Sequence, residues 1–394
     1  MLASERPVST AASTDDRYVV RTETWRGDLA AWWDARAAGA AATPFQAGRW
    51  LDAWYATIGR AIGEPLLLTV LDRSTGALAA MLPLVRRTGR IRIVEFADNG
   101  VSDYNAPVLG PAAPVDAHGA LLFWSAVRAA LPDADLVRFK RMQREIEGRI
   151  NPLGLLPTAA ASSASSNAVT LAGSWADYLA TLKGTLRRQA GRHWRAFARN
   201  DGAAFRHVTD RETAAPILAA LERQQSARLC AHGVPYVLDE PEIAAFYRKL
   251  VADGLGDGSV VLTALTCGDE VVATLLGIAR GATYVMLRMS IGAERWHACS
   301  PGRLIILRTM ELLHARGFRH FDFSIGDYAY KHRFGACSRP LVELAVALSP
   351  RGLPMVGFER AKRLVRRHPA LDAIARKLLM RNGPGAKEHV VEDA

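Results

Sequence analysis

The chain has 394 residues, 49% of them hydrophobic, and its 50 basic and 39 acidic side chains give a formal net charge of +11. This length and apolar content argue against a disordered chain and allow two or three domains, each with its own core. No apolar run reaches the roughly 18 residues that a transmembrane helix needs, and "MLASERPVSTAASTDDR" lacks the apolar centre of a signal peptide. A cytoplasmic location is therefore expected.

Cysteine spacing indicates whether disulfides or a metal site are present, and net charge indicates which kinds of partner the chain binds. Cys230, Cys267, Cys299 and Cys337 show neither a disulfide framework nor metal-ligand spacing, so reduced thiols and no bound metal are expected. The positive charge favours an anionic partner such as a phosphorylated cofactor, nucleic acid or an anionic membrane face. Charge by itself does not distinguish among these partners.

The first half of the chain is predicted to be one mixed domain, residues 17–156, preceded by a flexible arm at residues 1–16. Its patterns are strand "YVVRTETW", helices "LAAWWDARAAG" and "GRWLDAWYATIGRA", strands "PLLLTVLDR", "ALAAMLPLVRR" and "IRIVEFA", helix "LLFWSAVRAAL" and strand "DLVRFKRM". The Ala- and Ser-rich stretch "PTAAASSASSNA", residues 157–168, is predicted to be a linker between domains because its composition is of low complexity.

The second domain is predicted to span residues 169–350. After strand "AVTLAG", helices, strand "AAFRHV" and two more helices come three strands, "SVVLTALTCG", "EVVATLLGIAR" and "ATYVMLRMS". Only the turn residues Gly268-Asp269 and Gly281 separate them, which indicates antiparallel hairpins.

A helix with marked ends follows these hairpins in "SPGRLIILRTMELLHARG". Ser300 is predicted to be its N-cap, Pro301 its first residue and Gly317 its C-cap. Because the helix is apolar on nearly every side, it is expected to be buried.

The stretch "FDFSIGDYAYKHRFG", residues 321–335, begins on a strand. Alternation places Phe321 and Phe323 on one face and Asp322 on the other. Asp322 is expected either to pair with a neighbouring basic side chain or to face a groove as a base.

The rest of this stretch has a structural interpretation. Asp327 is predicted to cap a short helix and to form an i,i+4 pair with Lys331. Tyr330 and Phe334 have the same spacing and suit a core.

The order of these elements resembles the acyl-CoA N-acyltransferase (GNAT) fold and, more closely, the BioF2-like or CelD/BcsL-type acetyltransferases, which are related to the Fem-type aminoacyltransferases. The resemblance is carried by "TPFQAGRWLDAWY", "LPLV", "GVSDYNAPVLGP", "SWADYLATL", "SPGR" and "FDFSIGDYAYKHRFG". It implies an α/β (α+β) protein of two tandem GNAT-like halves, with mixed, mostly antiparallel sheets flanked by helices. The first half would be a degenerate copy that shapes the acceptor groove.

The resemblance also implies a donor site for acetyl-CoA or another acyl-CoA. Its pyrophosphate would bind at the start of the helix that follows the hairpins, where free N–H groups and the helix dipole favour anions. Ser300, Gly302 and Arg303 occupy that position. The glutamine or arginine and paired-glycine loop of the family is not intact here.

Catalytic and acceptor residues follow from the same resemblance. "YVMLRMS" would diverge from "FDFSIG" and open a slot for the thioester, with Arg288 expected as an exposed strand residue and Trp296 as a packing residue. Tyr330 would be a candidate general acid and Lys331 would position an anionic group. The complete set is Asp322, Asp327, Tyr330 and Lys331 as catalytic residues and Asp103, Tyr104 and Arg333 as substrate-binding residues.

The implied activity is transfer of an acyl group, most simply acetyl, to an amine, with a saccharide or lipid precursor of the cell envelope as acceptor. Two alternatives stay open: a Fem-like transferase that uses aminoacyl-tRNA, and a non-catalytic partner in polysaccharide assembly. Nucleic acid as the primary partner is not expected, because aromatic residues are sparse in the basic segments.

The C-terminal segment, residues 351–394, is basic, and its apolar residues recur at helical spacing. Pro369 is predicted to divide it into two short helices. The pattern predicts peripheral contact with an anionic membrane. The apolar positions are Leu364, Leu371, Ile374 and Leu378.

Overall fold

The computed structural model of the chain describes residues 17–25 and 29–367. The first half contains β1 (Tyr18–Glu23), α1 (Leu29–Arg36), α2 (Gly48–Trp54), α3 (Arg60–Ile62), β2 (Gly63–Asp72), β3 (Leu78–Arg87), β4 (Ile93–Phe96), β5 (Val108–Leu109), α4 (Ala117–Ala129), β6 (Leu136–Met142), β7 (Glu145–Ile146), β8 (Arg149–Ile150) and β9 (Ala159–Thr170). The second contains α5 (Trp175–Thr181), α6 (Gly184–Ala198), β10 (Ala203–Val208), α7 (Arg211–Ala231), α8 (Pro241–Gly254), β11 (Val260–Cys267), β12 (Glu270–Arg280), β13 (Thr283–Ile291), α9 (Pro301–Ala315), β14 (His320–Ile325), α10 (Ala329–Arg333), β15 (Cys337–Ala347) and α11 (Leu353–Arg367). The predicted arm at 1–16 and the predicted helix break at Pro369 lie outside the described residues.

The two halves repeat one order of elements within a single continuous sheet. In the first half, β1 to β4 are antiparallel neighbours, α4 follows, and β6 pairs in parallel with β4. In the second half, β10 to β13 are antiparallel, α9 follows, and β14 pairs in parallel with β13. The predicted mixed, mostly antiparallel α/β architecture is confirmed, including both hairpins of the second half.

The last strands of the two halves are exchanged. β9 leaves the first half and pairs with β14 of the second, while β15 returns to pair with β6 of the first. β9 and β15 also pair with each other. The prediction that residues 157–168 form a linker is therefore wrong: Ser166 faces Ile325 on one side and Arg339 on the other. Two flanking ladders impose an extended conformation on alanines and serines whose own strand preference is weak.

Helices cover both faces of the sheet. α1, α2, α7 and α8 lie on one face in a shared apolar core that includes both halves. Within it the rings of Trp50 and Phe246 meet edge to face with centroids 4.8 Å apart. On the opposite face α4 packs on the first half, and α5, α6 and α9 pack on the second. The core shared by α2 and α8 therefore joins the halves.

The described residues, 17–25 and 29–367, contain no helix with both the length and the apolarity needed to cross a bilayer. In the same part of the chain, no three His, Cys, Asp or Glu side chains are grouped as metal ligands. The four cysteine thiols are unbridged.

Candidate active site

β13 and β14 diverge after a short parallel pairing. Their register runs only from Thr283–His320 to Val285–Asp322. In β13 the register with β12 shifts so that Leu287 falls between the paired residues Met286 and Arg288, which is a β-bulge. The short pairing agrees with the predicted divergence of the two strands. The open end between the strands lies towards the start of α9, because α9 follows β13.

Asp322 lies where the strands begin to diverge, and it is 6% exposed. Its Oδ1 accepts hydrogen bonds from the Tyr104 hydroxyl at 2.7 Å and from the Ser324 backbone N–H at 2.6 Å. The predicted pairing with a basic side chain is wrong, since these contacts come from a tyrosine of the first half and from the backbone. Burial raises the pKa of Asp322 to about 7, although Tyr104, Ser324 and the charge of Lys331 lower it. A carboxyl group that titrates near neutral pH is suited to proton transfer.

Ser324 joins Asp322 to the loop of the first half. It has a left-handed backbone with φ 69°, unusual for a residue with a Cβ, and its hydroxyl donates to Asp103. Strained backbone of this kind is concentrated at functional sites. The structure thus brings three candidate site residues, Asp103, Tyr104 and Asp322, together. The sequence analysis missed Ser324, because no sequence signal marks a positive φ at a serine.

Lys331 is also in this cluster, with 2% of its surface exposed. Its ammonium donates to the carbonyl of Ile325 at 2.6 Å and to that of Ser324 at 3.3 Å. Burial lowers the pKa of Lys331 to about 8, against the opposing charges of Asp103, Asp322 and Asp327. Lys331 therefore holds the end of β14 in place.

The other predicted residues of this stretch are not in the buried cluster. Asp327 does not cap α10, because the N-cap is Tyr328, which makes no side-chain capping hydrogen bond. The Asp327 carboxylate contacts His332, whereas the sequence predicted a pair with Lys331. Asp327 and Arg333 are both exposed, because the turn at positive-φ Gly326 carries the chain out to the surface.

Tyr330 packs in the core of the α9 face, with its ring against Phe323. Burial raises the pKa of its hydroxyl above the ordinary value of 10. A tyrosine with a raised pKa is a weaker acid than a thiol of pKa about 8.5. These observations favour the packing role over the general-acid role.

The start of α9 has no side-chain cap. Ser300 adopts a left-handed conformation, φ 47° and ψ 61°, and its side chain makes no capping hydrogen bond, so the predicted capping by its hydroxyl is wrong. Gly302 is buried, and a Cβ there would lie 2.9 Å from Ile291 Cδ1. Its small size therefore allows α9 to pack closely on β13.

Two further observations favour an anion site at the start of α9. Arg303 Nε is buried without a hydrogen-bond partner among the described residues. On the neighbouring helix α6, the pKa of His193 is lowered by burial and by the positive charges of Arg192 and Arg303. An uncapped helix start beside several positive charges is a suitable site for a phosphate group.

Two other predictions concerned β13 and the turn that follows it. Trp296 is buried against Phe197, as predicted. Arg288 is not exposed: only 7% of it is accessible, and it contacts Gln225 and Tyr236. A charged residue inside the otherwise apolar strand "YVMLRMS" was the sequence signal for a buried arginine.

A cavity of about 670 Å³ opens beside Asp322 and Tyr104. Residues of both halves line it, which gives the buried carboxyl access to a ligand-sized space. Its polar side chains include Thr43 and Glu147 of the first half and His320 and Arg339 of the second.

The geometry agrees with the comparisons to known proteins. Residues 184–332 match the family model of the acetyltransferase (GNAT) domain, whereas no curated protein sequence is significantly similar to the chain. The solved structure of FemX matches with a TM-score of 0.60 at 9% identity, over 86% of this chain and 99% of its own. L-PGS from Bacillus licheniformis matches with a TM-score of 0.50 at 12% identity, over 83% of this chain and 95% of its own.

At such low identities, the likeness to FemX and L-PGS shows a shared fold. The sequence match covers residues 184–332, which are similar to the GNAT acetyltransferase domain. With this match, the chain is an acyltransferase.

Proposed function

We propose that the chain is an N-acyltransferase that moves an acyl group, most simply acetyl, from an acyl-CoA thioester to an amine. The observation that carries this proposal is the position of Asp322: a buried carboxyl with a pKa of about 7 lies where β13 and β14 diverge. The uncapped start of α9 follows β13 and suits the phosphates of the donor.

In the proposed reaction Asp322 takes a proton from the acceptor ammonium. The free amine attacks the thioester carbonyl carbon, a C–N bond forms, and the negative charge on the carbonyl oxygen is stabilised by backbone N–H groups at the bulge around Leu287. The C–S bond then breaks, the nitrogen loses its second proton to solvent to give the amide, and the thiolate leaves and is protonated by solvent. Tyr104 and Ser324 hold the Asp322 carboxyl in position.

The first half is proposed to be the degenerate copy that shapes the acceptor groove. Its helix α4 is the counterpart of α9, but α4 is capped by the Asp116 carboxylate, which accepts from the Gly119 N–H at 2.7 Å. This carboxylate occupies the position that an anionic donor would need. The difference between the two helix starts supports a single donor site, in the second half.

The basic face of α6 favours a second candidate function, transfer from aminoacyl-tRNA. Exposed arginines on this helix extend the positive surface away from the start of α9, and a long polyanion uses more of that surface than one pyrophosphate. They are Arg187, Arg188, Arg192 and Arg195.

The donor can be identified with purified full-length chain. We expect acetyl-CoA to bind at micromolar concentration in calorimetry, and amines to increase the release of free CoA thiol. Charged tRNA should bind more weakly and should transfer no aminoacyl group. Binding of charged tRNA together with no acyl-CoA binding at millimolar ligand would reverse the assignment.

The acceptor and the location are proposed from the resemblance to the BioF2-like and CelD/BcsL-type acetyltransferases. The acceptor would be an amine on a saccharide or lipid precursor of the cell envelope, modified in the cytoplasm. A search for acetylated amines in envelope extracts, with and without the chain, tests this proposal.

Helix α11 supports contact with an anionic membrane because its apolar face is turned outward. Its inner side carries ion pairs, Glu359 with Lys140 at 3.8 Å and Arg363 with Glu343 at 3.4 Å. Exposed Arg360 lies beside the outer face. Three large apolar side chains on the outer face are 60% to 62% exposed: Leu353, Phe358 and Leu364.

Replacing Leu353, Phe358 and Leu364 together by serine should lower binding to anionic vesicles at least tenfold, because each buried apolar side chain contributes about 1.5 to 3 kcal/mol. Flotation with phosphatidylglycerol vesicles at low salt measures this. The matched control replaces the exposed Val115 and Leu121 by serine and should float like wild type. Equal flotation of all three proteins would contradict the proposal.

A further inference from the structure

Arg288 carries a buried positive charge, and the side chains that contact its guanidinium are neutral. Its Nε donates to Gln225 Oε1 at 2.9 Å, and its Nη2 donates to the same oxygen and to the Tyr236 hydroxyl. Gln225 is itself oriented by its Nε2, which donates to the Met289 carbonyl at 2.9 Å. The ring of Tyr247 lies 4.9 Å from the guanidinium carbon. The guanidinium is therefore held in one orientation.

No carboxylate of residues 17–25 or 29–367 forms an ion pair with Arg288. The partly buried Arg141 differs, since its guanidinium pairs with Asp98 at 2.6 Å. A buried cation without a counter-charge is destabilising, because it has lost its hydration without gaining an ion pair. An anion that enters with a ligand would neutralise it.

Arg288 lies on the same face of the sheet as Asp322 and opposite the donor helix. Met289 and Ile291 point towards Gly302 at the start of α9, whereas Arg288 contacts α7 and the segment that follows it. Arg288 is three residues beyond Val285, the partner of Asp322, which is a distance of about 10 Å along the strand. An acceptor whose amine reaches Asp322 and that extends about 10 Å along β13 would bring a second group to Arg288.

We propose that Arg288 binds an anionic group, carboxylate or phosphate, on the acceptor and so selects amines that carry a negative charge several ångströms from the nitrogen. This inference rests on the proposed N-acyltransferase function. Gln225, Tyr236 and Tyr247 hold the guanidinium in place, and the anion would form charge-assisted hydrogen bonds with it.

Matched acceptor pairs test the proposal in the full-length chain. One pair is glucosamine 6-phosphate and glucosamine; the other is 6-aminohexanoate and 6-aminohexanamide, so the two pairs separate phosphate from carboxylate. With acetyl-CoA as donor, wild type should prefer the anionic member of at least one pair by tenfold or more in kcat/KM. Arg288→Gln should lower kcat/KM for that member about 10- to 100-fold and leave the neutral member within about threefold.

The controls separate recognition from folding. Arg206→Gln removes an exposed arginine that also bonds a neutral oxygen, that of Thr266, and should behave like wild type. Arg288→Lys keeps the positive charge and should retain part of the kcat/KM preference for the anionic amine. It tests the proposal also if Arg288→Gln does not fold. Equal loss for both members of a pair, or no preference in wild type, would overturn the proposal.

Calorimetry of the same four amines without donor distinguishes this inference from the proposed donor. Preferential binding of the anionic amines by wild type, lost in Arg288→Gln, supports the Arg288 site even if acyl-CoA is not the donor. Equal binding of anionic and neutral amines overturns the Arg288 site even if acyl-CoA is the donor.

Discussion

Asp322→Asn is expected to lower kcat/KM for acyl transfer about 10²- to 10⁴-fold, the usual contribution of a general base. Asparagine is close to aspartate in shape, and its oxygen can still accept from Tyr104 and from the Ser324 N–H. The variant therefore removes the basic function with little change in packing. Steady-state release of CoA thiol measures the effect, with unchanged acetyl-CoA affinity as the control. A loss of less than tenfold would exclude Asp322 as the base.

Wild-type activity should rise with pH through about 7, because the carboxylate form of Asp322 is the base and its pKa is about 7. Tyr104→Phe removes a hydrogen bond that lowers this pKa. The rising limb of the pH–rate profile should therefore move to higher pH in Tyr104→Phe. An unshifted limb would show that another group controls the profile.

The raised pKa of Asp322 also makes the stability of the folded chain depend on pH. The pKa of Asp322 is raised on folding from 3.8 to about 7, so between these values the folded chain binds more protons than the unfolded chain, and stability falls as pH rises. Asp322→Asn cannot titrate and therefore does not show this loss of stability. The difference in melting temperature, Asp322→Asn minus wild type, should be larger at pH 8 than at pH 5.

Arg303→Glu is expected to abolish acyl-CoA binding, because a negative charge would replace the positive charge beside the free N–H groups at the start of α9. Arg303→Ala should be milder, with a loss of about 10- to 100-fold in affinity from one charge-assisted contact. Calorimetry with acetyl-CoA and longer acyl-CoA donors measures both. Wild-type affinity in Arg303→Glu would show that the donor binds elsewhere.

A control on the same helix is Arg308→Ala, since Arg308 stacks on Trp194 at 3.7 Å and pairs with Glu311. This variant should keep donor affinity. Gly302→Glu is a poorer probe than Arg303→Glu, because a Cβ at this position meets the end of the Ile291 side chain. A loss of binding in Gly302→Glu would combine displacement of α9 with repulsion of the phosphate.

Local patterns in the sequence determined most of the individual elements. The turn glycines Gly268 and Gly281 set the two hairpins, and Pro301 marked the start of α9. The end of α9 was predicted one residue late, since its C-cap is Arg316 and Gly317 follows with a positive φ. These signals are readable because hydrophobic alternation, turn conformation and helix ends depend on residues close together in the chain.

Tertiary structure alone decided which residues form the site. Asp322 meets Tyr104 across 218 positions of the chain, and the exchange of β9 and β15 holds β14 between the two halves. The composition of 157–168 predicted a linker, because alanine and serine have little strand preference unless neighbouring strands impose it. The buried environments of Arg288 and Ser324 likewise arise from packing between distant segments. Contacts of this kind leave no periodic pattern in the sequence, since each depends on chain segments that only folding brings together.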